Sequence, residues 1–228
     1  MIKSIILELF IFLLSKIYFI YYKFNNPVKL NVGAGLAVAP GWTNIDVSFN
    51  SVASNMPSLT HILFYKLSGA REYYSLKEYS KILKESCFLC LDVRKGLPFR
   101  EKSIKYIFSS HFLEHLEFCD AKKLLKIIYK ILKIGGIVRI AIPDLEYAIS
   151  LYPQEKDKML NDYFFVQEKP VYSKHKYMYD FDLISDILLE TGFKGITKCN
   201  YRNSFFDFPD INLLDNRPKD TLFVEAYK

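Results

Sequence analysis

The sequence predicts an α/β fold, a mostly parallel sheet with helices on both faces, and three observations carry that prediction. Short apolar runs alternate with stretches whose apolar residues recur at helical spacing, which is how successive strand–helix–strand units read. The run Ile137 to Ile142 is almost continuously apolar, as a central strand buried on both faces must be. A glycine turn and several polar residues stand at the carboxyl ends of the runs, where an open parallel sheet takes its ligands.

The elements follow in order. Val28 to Val32 alternates and reads as the first strand; Gly33-Ala34-Gly35 turns, and a loop runs to Gly41-Trp42. Thr43 to Val47 is the second strand. Asn50 to Glu85 reads as helical, with Ser75 and Glu78 spaced as a capping box ahead of the stripe Leu76, Tyr79, Ile82, Leu83. Phe88 to Leu91 and Ile104 to Ser109 are the third and fourth strands. Asp120 is expected to cap a helix whose buried face is Ala121, Leu124, Leu125, Ile128, Ile131 and Leu132, closed by a left-handed Gly135. Asp182 is expected to cap a further helix with Leu183, Ile184, Ile187 and Leu188 inward, stopped at Thr191-Gly192. Phe193 to Asn200 and Thr221 to Tyr227 are closing strands.

With 228 residues, 50% hydrophobic and 25% charged, the chain has the size and composition of one globular domain with a sizeable core. The domain is expected over residues 27–228, with 50–86 as a helical insertion or lid, and an apolar helix over 1–26 precedes it. The net charge of +6 comes mostly from lysines spread along the chain, so no nucleic-acid partner is expected. Ile5 to Tyr22 is apolar but interrupted by Glu8, Ser15 and Lys16. It barely reaches the about 20 residues of a spanning helix. Two readings stand beside a true span: a helix lying in the membrane interface through residues 1–24, or one packed on the domain or a second copy. Cys87 and Cys90 stand three apart on a strand and so face opposite ways, which is poor geometry for a shared metal; buried thiols in a reducing cytosol are expected. The location expected is cytoplasmic, with a peripheral attachment at the inner membrane face through the first helix.

Gly33-Ala34-Gly35 follows a strand directly. Its N–H groups suit a carboxylate or phosphate, and glycine lets a ligand approach the backbone. The third glycine of a dinucleotide fingerprint is replaced by Val38, which argues against a pyrophosphate cradle and a nicotinamide cofactor. Asp46, thirteen positions after Gly33, ends the second strand, where an acidic side chain accepts ribose hydroxyls. Asp144 follows the fifth strand. His175 lies in the run SKHKYMYDFD with Tyr177 and Tyr179, and an imidazole there has a free pKa of about 6.5, suited to proton transfer. His111 to His115 spells H-x-x-E-H, the order of one zinc-protease class. His111 ends a strand, however, so the helical spacing that zinc needs is broken, and no later acidic ligand stands on a recognisable second helix. No metal is expected.

These residues together — LNVGAG, PGW-N-D over 40–46, LDVRKGLPF over 91–99, SSHFLEHL over 109–116 and RPKDTLFVEA over 217–226 — resemble class I S-adenosylmethionine-dependent methyltransferases. The closest likeness is to the small type 11-like kind associated with bacterial surface polysaccharides. The resemblance implies a Rossmann-like seven-stranded sheet with its last strand antiparallel, and S-adenosylmethionine as cofactor. It implies cofactor contacts at Gly33, Ala34, Gly35, Asp46, Asp92, Val93, Ser109 and Ser110, with Asp92 or the backbone after it meeting the adenine amino group. It places His111 on the reacting side and His175 in a loop over the site as catalytic candidates, with Asp144, Tyr177 and Tyr179 toward substrate. The same S-H-x-L-E-H order recurs in this family without metal. A small-molecule or glycan acceptor is implied, and with the apolar amino terminus a lipid-linked saccharide. Ala34 and Ile134 depart from the cysteine and proline common at those places. A methyltransferase-like module that binds cofactor or partner without turnover is the alternative.

Overall fold

The computed structural model of the chain describes residues 17, 18, 20–22, 25–165 and 174–228. Seven strands form one sheet: β1 (Lys29–Val32), β2 (Thr43–Asp46), β3 (Cys87–Cys90), β4 (Ile104–Ser110), β5 (Leu132–Pro143), β6 (Lys194–Cys199) and β7 (Thr221–Tyr227). They lie in the order β3-β2-β1-β4-β5-β7-β6. The first five run parallel, while β7 is inserted antiparallel between β5 and β6. The expected Rossmann-like sheet with an antiparallel last strand is therefore present. The strand order reverses between β1 and β4, so a crevice opens at their carboxyl ends.

Helices α1 (Phe49–Ser54), α2 (His61–Leu67) and α3 (Leu76–Glu85) connect β2 to β3. Residues 50–85 are thus several pieces and not one helix, because Pro57 and a left-handed Gly69 (φ +73°) interrupt them. The capping box at α3 is formed as expected: Ser75 Oγ accepts from Glu78 N, and the Glu78 carboxylate accepts from Ser75 N at 2.8 Å. Helix α4 (Phe118–Ile131) buries Ala121, Leu124, Leu125, Ile128 and Ile131, the stripe read from spacing. Each such leucine or isoleucine contributes about 1.5–3 kcal/mol of burial.

Three details of the helix ends differ from expectation. Glu117, and not Asp120, stands at the N-cap of α4, and Asp120 falls in its first turn. Leu132 already belongs to β5, where it pairs with Ile104, and the register then shifts so that Ile137 pairs with Tyr106. The left-handed Gly135 (φ +70°) therefore serves this bulge, donating its N–H to Lys228 O at 3.0 Å, rather than ending a helix. Two shorter helices follow β5, α5 (Leu145–Ser150) and α6 (Lys156–Met159), before α7 (Phe181–Thr191). Asp180 caps α7 through Leu183 N, because its backbone is extended, whereas Asp182 is already helical.

The connection before β7 is held by a buried guanidinium. Arg139 on β5 pairs with Asp215 and Glu225, all three side chains being wholly buried. Trp42, the aromatic of PGW, is buried and donates its indole N–H to Asp210, which also pairs with Lys29. Most of the amino-terminal helix expected over 1–26 lies outside the described residues. Within it, residues 17, 18 and 20–22 are helical, and Tyr18 donates to Asn55 at 3.0 Å. No helix among the described residues is long and apolar enough to cross a membrane.

Candidate functional site

The glycine turn sits where β1 ends, but its N–H groups do not point into the crevice. Gly33 and Ala34 donate to Ile45 O at 2.9 and 3.1 Å, and Gly35 donates to Asp46 Oδ2 at 2.7 Å. The expectation of open donors for an anionic group is corrected accordingly: β2 runs alongside and takes them. Asp46 Oδ1 also accepts from Ser48 N at 2.6 Å, so this carboxylate joins the turn to the entry of α1. Each oxygen retains acceptor capacity, and Asp46 lines the crevice. Gly33 (φ +73°) has a second constraint, for a Cβ there would lie 2.2 Å from the Phe112 ring. Phe112 thus covers the turn, a contact that no local pattern signals.

Across the crevice, Asp92 ends the strand run and starts a short turn, with the Arg94 side chain folded onto it in a bidentate fork at 2.8–3.2 Å. Burial pushes the Asp92 carboxyl up, but the Arg94 fork outweighs it and holds the group below the ordinary aspartate range. The crevice between these walls has a volume of about 140 Å³ and is lined by Ile45–Val47, Leu91–Arg94, Phe112, His115–Glu117 and Lys176. That is smaller than the about 300 Å³ at which ligand pockets commonly begin. A larger open cleft of about 520 Å³ borders Lys102, Lys130, Lys194 and Lys228, away from this edge.

Beyond the end of β4 the side chains are of a different kind. Ser109 is buried with its hydroxyl unpartnered, and Ser110 is half-buried. His111 takes the left-handed conformation (φ +47°), sparsely populated for such a residue, and donates its N–H to Ala141 O at 2.8 Å. Its Nε2 lies 3.1 Å from Thr221 Oγ1, and its Nδ1 lies 3.4 Å from the Arg217 guanidinium and 3.5 Å from Glu114. Glu114 is wholly buried, and neither carboxylate oxygen has a hydrogen-bond partner. The His115 and His175 rings lie against each other at a tilt of 57°, with centroids 5.2 Å apart. Their Nδ1 atoms are held by main-chain carbonyls, Lys174 O at 3.2 Å and Tyr163 O at 2.9 Å respectively.

Glu114 lies among these histidines, 3.5 Å from His111 Nδ1 and within 4.8 Å of a ring nitrogen of His115 and of His175. Asp46, Asp92 and Val93 line the crevice. Asp144 does not; it caps α5, accepting from Glu146 N at 3.0 Å. Tyr177 packs on Phe118 with centroids 4.5 Å apart. Tyr179 is buried in the main core, which removes it from a substrate rim. Burial pushes its hydroxyl pKa up, and the nearby Glu114 charge adds to the shift. The H-x-x-E-H order suggests Glu114 and His115 as helix-start residues with structural hydrogen bonds, but both Glu114 carboxylate oxygens lack a partner, and no local pattern points to Phe112 or Arg94.

Comparison with known proteins agrees with this picture. A family model described as a methyltransferase domain matches residues 66–140, which hold β3, β4 and most of β5 but neither the glycine turn nor Asp46. No curated protein matches the sequence. A S-adenosylmethionine-dependent methyltransferase from Archaeoglobus fulgidus shares the fold at 16% identity, with 97% of this chain and 94% of that one covered and a TM-score of 0.50. A structure described as a possible histamine N-methyltransferase from Thermotoga maritima does so at 13% identity, covering 90% and 83%, also at 0.50. The fold is that of class I S-adenosylmethionine-dependent methyltransferases. The domain match and this fold support methyl transfer, with S-adenosylmethionine as the cofactor.

Proposed function

We propose that this chain transfers a methyl group from S-adenosylmethionine to a hydroxyl or amine of a small-molecule or glycan acceptor. The observation that carries the reading is the crevice at the carboxyl edge of the sheet, with Asp46 on one side, Asp92 and Val93 across it, and His115 of the histidine cluster also in its lining. S-adenosylmethionine supplies a methyl already activated on a sulfonium, so the protein mainly has to align nucleophile, carbon and sulfur, an effect of about 7–11 kcal/mol. In this reading Asp46 holds the ribose hydroxyls, and the Asp92–Val93 turn with Ser109–Ser110 receives the rest of the cofactor, while the glycine turn, its N–H groups taken by β2, fixes the Asp46 carboxylate. His111 and His175 flank the acceptor.

The expected subgroup, enzymes that modify bacterial surface polysaccharides, makes a lipid-linked saccharide the acceptor to try first. Peripheral contact with the inner membrane face through residues 1–24 would bring the enzyme to it, and Ile17 and Ile20 are exposed. Residues 50–86 serve as a cover, since Tyr79 and Leu83 pack with Leu36 and Val38 of the loop after the glycine turn. A non-catalytic module is the second reading, favoured by the small crevice and the engaged turn N–H groups.

Calorimetric titration with S-adenosylmethionine, followed by transfer of labelled methyl to candidate glycans, separates the two. Binding with labelled product is expected. Binding without product on any acceptor class favours the module, and absence of binding overturns both. Flotation of the full chain with anionic vesicles tests the membrane contact.

A further inference from the structure

We infer that Glu114, His115 and His175 form a binding site for a divalent first-row transition ion of the zinc type beside the crevice. One carboxylate oxygen and one ring nitrogen from each histidine lie within 4.8 Å of one another. Glu114 is wholly buried with both oxygens lacking a hydrogen-bond partner, a costly arrangement unless something positive meets them. The nearest imidazole nitrogens stand at 3.5 Å (His111 Nδ1) and 3.8 Å (His115 Nε2), outside hydrogen bonding.

The histidines are oriented as metal ligands usually are. Each directs Nδ1–H to a main-chain carbonyl, Lys174 O for His115 and Tyr163 O for His175, which places the lone pair on Nε2. The segment that carries His175 is tied to Glu114 itself, because Lys176 N donates to Glu114 O at 2.7 Å. The site is thus preassembled from two segments about sixty positions apart, and not from the helical pair that the H-x-x-E-H order suggests.

Two imidazoles and one carboxylate suit zinc and its neighbours, whereas magnesium and calcium want oxygen alone. Bonds of about 2.1 Å put tetrahedral ligand atoms about 3.4 Å apart, so the three must close in by about an ångström. His115 is partly exposed and can make that adjustment. Three protein ligands leave one position open, and His115 also lines the crevice. A role at the acceptor rests on the methyl-transfer reading; the binding of metal does not.

The test is titration of Zn²⁺ into chelator-treated full-length protein with no methyl donor present. One saturable equivalent is expected. His115→Ala and His175→Ala should each weaken binding about 10–100-fold. The double variant Cys87→Ser/Cys119→Ser, which removes the exposed thiols, should bind as the parent does. Co²⁺ in the parent protein should give ligand-field bands with no thiolate charge transfer, which reports the ligands even if a histidine variant folds poorly. Absence of saturable binding, binding that the histidine variants retain, or thiolate bands would overturn the inference. Because donor is omitted, loss of metal binding and loss of methyl transfer are separate failures.

Discussion

The molecule buries carboxylates in two places and treats them in opposite ways. Around Arg139, Asp215 takes a bidentate pair at 2.6 and 3.1 Å and Glu225 takes the remaining guanidinium nitrogen at 2.6 Å. The other Glu225 oxygen accepts from Ser204 Oγ and from the N–H groups of Phe205 and Phe206 at 3.0–3.1 Å. Every acceptor has a donor, and the result is a clamp that holds residues 200–215 onto β5 and β7. Glu114 is equally buried, yet it faces imidazoles that stand too far away to bond. A buried carboxylate with a full set of donors is structural; one with vacant acceptor sites gives up stability, and such places concentrate where chemistry is done.

Arg139→Ala would break that comparison most severely, since it leaves two buried carboxylates unpaired. A loss of about 3–5 kcal/mol is expected in urea unfolding. Glu114→Gln should cost under about 1 kcal/mol, or even stabilise, because it removes a charge without a counter-charge. The same variant should lower methyl transfer about 10–100-fold. If Glu114→Gln unfolds the protein and Arg139→Ala does not, the two clusters have been read the wrong way round.

Asp46→Asn sharpens the contrast from the donor side. It retains hydrogen-bonding capacity but loses charge, and S-adenosylmethionine binding should weaken by about 1.5–3 kcal/mol, measured by calorimetry. Asp46 is the counterpart of Glu225, a carboxylate already bonded by N–H groups, so a null effect would mark it as structural too. Trp42→Phe should cost about 1 kcal/mol by deleting the indole bond to Asp210, with donor binding unchanged.

The smallest effect is expected at Arg94→Ala. The Asp92 carboxyl lies below its ordinary range when folded, so its pairing adds stability above the unfolded pKa, about 3.9, and that contribution disappears as pH falls through the folded value. Arg94 is half exposed, and solvent screening limits the difference to about 1 kcal/mol or less near neutrality. The stability gap between parent and variant should close in acid, and the Asp92 titration followed by NMR should move upward.

How much of this was legible depends on the range of the interaction. The α4 stripe, the Ser75–Glu78 box and the apolar β5 run all arise within a few residues, and all three formed. Asp180 and Asp182 are two residues apart with the same side chain, and only the extended backbone at Asp180 decides which one caps. Gly135 carries the left-handed conformation expected of it, but pairing of β5 with β4 and β7 set its purpose. The carboxyl-edge positions Asp46, Asp92 and His111 were visible because strand ends are local. Phe112 over Gly33 and His175 beside His115 were not, because each contact joins distant segments.

By itself, then, the order of apolar and polar residues determined the alternation of strands and helices and put the polar groups at one rim of a parallel sheet, since periodicity and capping act over a turn or two. Only the tertiary structure decided which of those groups meet. It spent the glycine-turn donors on β2, sent Asp144 to a helix end and Tyr179 into the core, and closed two histidines around a carboxylate without donors. Close packing of segments far apart in the chain sets such meetings, and no local pattern encodes it.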